Sequence, residues 1–156
     1  MNIKYFNSKN QLNKKIQQYS DKHDKIFFVT QKNILSKVPL IKQIVQNYNT
    51  YICANNEQCK SIDEYIKFIQ YLYQNRCNRN SVIIAVGGGS VTDFCGFVAS
   101  SYMRGIPYIS IPTTLLGMVD AAIGGKTALN FQGIRNLIGS YKNPDDSFQP
   151  GRTPLP

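Results

Sequence analysis

Apolar residues in this 156-residue chain gather in short runs of strand length, separated by stretches whose apolar positions recur at helical spacing. Lys25-Ile26-Phe27-Phe28-Val29-Thr30 predicts a strand over residues 25–30, after a polar segment in which Leu12, Ile16 and Tyr19 suit one helix face. Ile41, Ile44, Val45 and Tyr48 repeat that spacing behind Pro39, whose missing N–H costs little at a helix start. Thr50-Tyr51-Ile52-Cys53 reads as a second strand. Ser61-Ile62-Asp63-Glu64 has the S-x-x-E form of a capping box, and Ile62, Ile66, Ile69, Leu72 and Tyr73 extend an apolar stripe, predicting a helix over 61–75. A strand at 82–86, a helix at 91–102 and a strand at 107–111 continue the alternation. Strands separated by helices predict an α/β fold whose parallel sheet is joined by crossover helices, with ligands gathered at the carboxyl ends of the strands.

Two of those strand ends carry candidate chemistry. The run Val82 to Val86 stops at Gly87-Gly88-Gly89, where a backbone without side chains lets a phosphate approach the amides that open the next helix. The triplet is not G-x-G-x-x-G, and by itself it fits a tight packing turn as well as a ligand loop. Asp93 is expected in the first turn of the following helix, within reach of a hydroxyl-bearing ligand. The 107–111 strand runs into Pro112-Thr113-Thr114, a hydroxyl pair that would otherwise read as a helix cap.

Charge and cysteines narrow the classes. Lys and Arg number 18 against 9 Asp and Glu, for a net charge of +9. Most of the cations lie before residue 81, scattered among Asn, Gln and Tyr, without the basic cluster and interleaved aromatics of a nucleic-acid reader. A solvated basic surface is the preferred reading, with phosphorylated small molecules as beneficiaries and no nucleic-acid partner expected; a basic nucleic-acid-binding domain is the alternative class. Cys53, Cys59, Cys77 and Cys95 form no C-x-x-C pair, and neither a signal peptide nor an apolar stretch of spanning length is present, which predicts a soluble cytoplasmic protein with no membrane partner. Cys95 falls on a helix face expected to be buried, where a thiol serves packing. His23, the only histidine, falls in a charged segment and reads as a surface residue.

The order of Gly87 to Asp93, Tyr102-Met103-Arg104-Gly105, Pro112-Thr113-Thr114-Leu115-Leu116, Asp120 to Thr127 and Asn136-Leu137-Ile138-Gly139 resembles the 3-dehydroquinate synthases, densely from about residue 55 to 144. The resemblance implies a Rossmann-like NAD-binding domain, in agreement with the α/β pattern. It implies conversion of 3-deoxy-D-arabino-heptulosonate 7-phosphate to 3-dehydroquinate and phosphate in the shikimate pathway, with NAD reduced and reoxidised in each cycle and a divalent metal, zinc or cobalt, polarising the hydroxyl that is oxidised. Residue by residue it implies that Glu57 and Lys60 touch the nicotinamide nucleotide, and that Gly88, Gly89, Asp93, Thr113 and Thr114 hold the rest of the cofactor, together with Lys126 and Arg135. Asp120, Lys126 and Asn136 are implied at the substrate, with Arg104 reaching its phosphate across the interface of a homodimer.

The chain also departs from that pattern. Arg135 stands where lysine is usual, and the two cations are not interchangeable at a tight phosphate site. Gln31 stands where an acidic residue commonly meets the adenosine ribose, and Thr92 replaces a glycine. The family's metal ligands, one Glu and two His, lie in a helical C-terminal domain that this sequence does not contain, so the chain alone is expected to be inactive. An NAD-binding remnant and another sugar-phosphate cyclase of the same superfamily are the alternatives. Residues 1–144 are expected to form the NAD-binding domain, and 145–156, which carry three prolines, an irregular, disordered tail.

Overall fold

The computed structural model describes residues 1–121 and 124–151. Its centre is a six-stranded, all-parallel sheet built from β1 (Asn2–Phe6), β2 (Ile26–Gln31), β3 (Asn49–Cys53), β4 (Val82–Gly87), β5 (Tyr108–Pro112) and a strand at Asp146–Pro150. Helices α1 (Lys9–Ser20), α2 (Lys32–Lys37), α3 (Pro39–Val45), α4 (Ile62–Gln74) and α5 (Gly89–Ser101) provide the crossovers. An antiparallel hairpin, β6 (Lys126–Phe131) and β7 (Ile134–Tyr141), precedes the last strand, β8, and the sheet order is β1-β8-β5-β4-β2-β3. The α/β architecture expected from the alternation is the one observed.

Strand periodicity of two divides the core. Phe27, Val29, Ile83 and Ala85 face α4 and α5, meeting Phe68, Leu72, Phe94 and Val98. Ile26, Phe28, Ile84 and Val86 face the other way, onto Leu12, Ile16, Ile41 and Ile44 of α1 and α3. The central strands are therefore apolar on both faces, which is why they read as unbroken runs.

Glu64 departs from the capping-box expectation in an informative way. Ser61 Oγ accepts the Glu64 N–H at 3.1 Å, as an N-cap should. The Glu64 carboxylate instead accepts from Tyr51 Oη at 2.8 Å and from the Ala54 N–H at 3.2 Å, fastening α4 to the end of β3. Burial and that carboxylate raise the Tyr51 hydroxyl pKa well above its ordinary value.

The expectation of an irregular tail does not hold for Asp146–Pro150, which is β8 and separates β1 from β5. Only Phe148 contributes apolar burial, so the strand has no hydrophobic signature; its buried polar residues are stable because each finds a partner. Asp146 takes an ion pair with Lys4 at 2.5 Å and a hydrogen bond from Tyr19 Oη. Gln149 Nε2 donates to Met118 O at 3.1 Å. Residues 152–156 lie outside the described residues. β1 was likewise not anticipated, because Phe6 is its only buried side chain.

The hairpin packs outside α5. Gln132 and Gly133 both have positive φ, +48° and +79°, as a two-residue turn matching strand twist requires. Gly96 permits the close approach, since a Cβ there would stand 2.4 Å from Thr127 Cγ2. Leu129 is fully buried in the α4–α5 core, whereas most of β7 is exposed.

Candidate functional site

The Asn56–Lys60 turn, the amino end of α5, the segment around Leu116 and Asp120 that follows β5, and the β6–β7 hairpin line a cleft of about 640 Å³. The three glycines at the end of β4 differ in what they do. Gly87 is required by packing, because a Cβ there would lie 2.6 Å from Val91 Cγ2. Gly88 has ordinary φ and ψ of −81° and −168°, and a Cβ would meet only the Thr114 side chain, at 3.4 to 3.5 Å. The fold itself therefore has room for a side chain at Gly88, and its bareness serves access to the backbone. Gly88 is also the N-cap of α5, with no side chain satisfying the helix's first amides. Thr92, in the place of a glycine, turns its Oγ1 back onto Gly88 O at 3.3 Å.

Because α5 begins at Gly89, Asp93 lies in the second helical turn rather than the first, as had been expected. Its role is set across the cleft instead. Lys60 Nζ, on the short 3-10 turn Asn56–Lys60, is buried and 2.8 Å from Asp93 Oδ2, donates to Asn136 Oδ1, and stands 3.9 Å from Glu57 Oε2. Burial raises the Asp93 carboxyl pKa, and Glu57 and Asp120 push the same way; Lys60 opposes them only in part. Lys60, Asp93 and Asn136, from three distant parts of the sequence, thus form one hydrogen-bonded group, with the Glu57 carboxylate at ion-pair distance from Lys60.

Asn136 reaches Lys60 because of a bulge. Leu129 pairs with Ile138 and Phe131 with Ile134, so Asn130 alone opposes three residues, Arg135 to Leu137. Within that bulge Asn136 adopts φ +56°, a left-handed conformation that asparagine tolerates better than most residues.

Asp120, on the π-turn Gly117–Ala121, and Lys126, which opens β6, are both exposed and line the same cleft. Gly125 precedes Lys126 at φ +62°, and a Cβ there would strike Asn143 Oδ1 at 2.3 Å, so this turn needs glycine. Thr113 and Thr114 follow β5 beside the glycine loop. Thr114 Oγ1 accepts the Gly117 N–H at 3.1 Å and so acts as a helix cap. Thr113 Oγ1 is buried and finds no hydrogen-bond partner among the described residues.

Of the residues expected at the site, Gly88, Thr113 and Thr114 sit beside the cleft without lining it, and Arg104 and Arg135 do not line it either. Arg104 is exposed just past the far end of α5, about 20 Å of helix from Gly89. Arg135 is exposed in the bulge of β7. Gln31 is buried at the end of β2 and donates from Nε2 to Ala54 O at 2.7 Å and Asn56 O at 3.0 Å, so it fastens the loop that carries Glu57 and Lys60. Sequence reasoning missed Asn130, whose side chain joins Glu57 to Asn136. Its only sequence signal was proximity to the Gln132-Gly133 turn. His23 lies away from the cleft, half-buried near the start of β2, where its ring stacks on Tyr19. Cys95 is fully buried in the core, where desolvation pushes its thiol pKa up.

A dinucleotide fits this arrangement: an uncapped helix start behind a bare glycine, an orphaned threonine hydroxyl and a charged cleft adjoin one another. A metal does not, because among the described residues no three His, Cys, Asp or Glu side chains are grouped to hold one. Among the described residues no helix is long and apolar enough to cross a membrane.

A family model described as the 3-dehydroquinate synthase N-terminal matches residues 50–150. The 3-dehydroquinate synthase of Clostridium tetani is 42% identical over 130 residues, covering 81% of this chain and 35% of its own length. That of Saccharolobus solfataricus is 48% identical over 98 residues, 62% of this chain and 28% of its own. The chain thus spans about a third of the length of the curated relatives it matches. Among solved structures, 2-deoxy-scyllo-inosose synthase with carbaglucose-6-phosphate, NAD+ and Co2+ shares the fold at a TM-score of 0.81 and 23% identity, over 95% of this chain and 42% of that one. The 2-epi-5-epi-valiolone synthase of Streptomyces hygroscopicus, with NAD+ and Zn2+, aligns at 0.78 and 25% identity over 96% and 42%. With the family model matched from β3 through β8 and sequence identity above 40% to proteins of that name, the chain belongs to the 3-dehydroquinate synthase family.

Proposed function

We propose that this chain supplies the NAD-binding part of a 3-dehydroquinate synthase, which converts 3-deoxy-D-arabino-heptulosonate 7-phosphate to 3-dehydroquinate and phosphate in the shikimate pathway of the cytoplasm. The observation that carries the reading is the bare start of α5 at Gly88, adjoining a cleft in which Glu57, Lys60, Asp93 and Asn136 are already joined. When bound, NAD supplies the acceptor and later the donor of a hydride.

The chain's own residues then have separable tasks. Gly88 and Gly89 admit the pyrophosphate to the free amides of α5, while Thr113 offers its unpartnered hydroxyl beside them. Glu57, Lys60 and Asp93 border the nicotinamide nucleotide, Lys60 being oriented by its two neighbours. Lys126 has no ion-pair partner among the described residues, which leaves its ammonium to an anionic group of the phosphorylated sugar acid. Asp120 accepts from substrate hydroxyls, and the Asn136 amide closes the boundary between cofactor and substrate. Arg104, too far along α5 to serve this cleft, is assigned to the phosphate site of a second protomer in a homodimer. Arg135 on the hairpin is assigned to the cofactor's rim. A zinc or cobalt ion belongs to the same proposal only through ligands other than the described residues, among which no three His, Cys, Asp or Glu side chains are grouped.

Calorimetric titration with NAD tests the reading. The parent chain is expected to bind. Gly88→Ala, whose Cβ the fold accommodates, is expected to keep its melting temperature and weaken binding at least about tenfold. Equal affinity for the two proteins, or no heat with the parent, would overturn it. The likeness to 2-epi-5-epi-valiolone synthase keeps a second sugar-phosphate cyclase reading open, and a panel of phosphorylated sugars offered to a full-length protein containing this chain separates the two.

A further inference from the structure

We propose that Asn130 is a positioning residue that sets both Glu57 and Asn136 in the cleft; the functional part of this inference rests on the cofactor reading above. Asn130 occupies the single β6 position facing the three-residue bulge of β7. A bulge removes backbone groups from the ladder, and something else must satisfy them. Asn130 Oδ1 does so for Asn136, accepting its N–H at 2.9 Å while that residue sits at φ +56°. The other half of the amide turns outward, Nδ2 donating to Glu57 Oε2 at 3.3 Å.

One side chain therefore fixes two residues on either side of Lys60. Through Asn136 it holds the acceptor that meets Lys60 Nζ, and through Glu57 it holds the carboxylate 3.9 Å from that same nitrogen. The two ends of an amide differ chemically, so the arrangement needs Asn in particular. Aspartate keeps the acceptor for Asn136 but offers no donor to Glu57, and sets two carboxylates against each other. Alanine removes both. Asn130 itself is not among the residues lining the cleft, so it acts through its neighbours.

The test compares the parent chain with Asn130→Ala and Asn130→Asp. Amide hydrogen exchange at Asn136, measured without any ligand, is expected to accelerate about tenfold in Asn130→Ala and to stay near the parent rate in Asn130→Asp. The paired amides of Thr127 and Ser140 should hold in all three. NAD affinity should fall at least about tenfold in Asn130→Ala and by a smaller factor in Asn130→Asp, which retains one of the two contacts. Unchanged exchange at Asn136 in Asn130→Ala overturns the proposal, as does loss of protection throughout the hairpin, which would make Asn130 a support of the fold only. NAD affinity equal in parent and Asn130→Ala overturns its functional part. Absence of NAD binding by the parent refutes the cofactor reading instead, and the exchange data still decide whether Asn130 places Asn136.

Discussion

Lys60 is 2% exposed, so Asp93, Asn136 and Glu57 surround its ammonium in place of water. The coupling has a measurable partner in Asp93, whose pKa stands above the ordinary 3.8 because burial, Glu57 and Asp120 together outweigh Lys60. Replacing Lys60 by Met should raise it further, and a carboxyl carbon titration by NMR reads the change; an unmoved Asp93 would mean that the ion pair is absent in solution. The sign for stability follows. A carboxyl whose folded value is raised binds its proton more tightly in the native state, so its contribution is full below pH 3.8 and is lost as pH rises through the folded value. Asp93→Asn should flatten the pH dependence of the melting temperature over that window. The glycines and threonines that follow β4 and β5 were legible from sequence as strand-to-helix turns, because each follows an apolar run of strand length. Glu57 and Lys60 were not, since a charged loop pair looks like solvated surface until a fold buries it, and only family resemblance singled them out.

At the scale of elements, the α5–β6 contact rests on the absence of a side chain at Gly96, where an added Cβ would meet Thr127 Cγ2 at 2.4 Å and Tyr108 Oη at 3.0 Å. Gly96→Ala should cost about 1–3 kcal/mol by overpacking, offset in part by its helix propensity. Adding Thr127→Ser removes the offending methyl while keeping the hydroxyl that bonds Ser140 O at 2.9 Å, so the double variant should recover much of that loss in denaturant melts. Additive losses would place the strain elsewhere. The legibility of the elements follows from how each is buried. β2 and β4 are covered on both faces and announce themselves as apolar runs, and α4 shows its stripe and its Ser61 cap. β8, in contrast, places Asp146, Ser147 and Gln149 in the interior, where side-chain partners rather than hydrophobicity support them. The hairpin hides for another reason: its bulge breaks the alternation that would have marked β7.

For the whole molecule, one histidine among 156 residues predicts that this chain alone gives no phosphate release above a no-protein control in zinc-supplemented buffer with NAD and the heptulosonate phosphate. Release above that control would overturn the prediction. Leu115, Leu116 and Val119 are exposed in the segment that follows β5, with Leu116 at the cleft, and such exposed apolar side chains favour self-association at high concentration. Among the described residues β1 pairs only with β8, with Asn2 opposite Asp146 and Phe6 opposite Pro150. During synthesis β1 emerges about 140 residues ahead of its partner, and until residue 146 leaves the exit tunnel the edge of β5 and all of β1 stay open to pairing with other nascent chains. Polysomes translating this message, with many half-made copies close together, are where misassembly is expected.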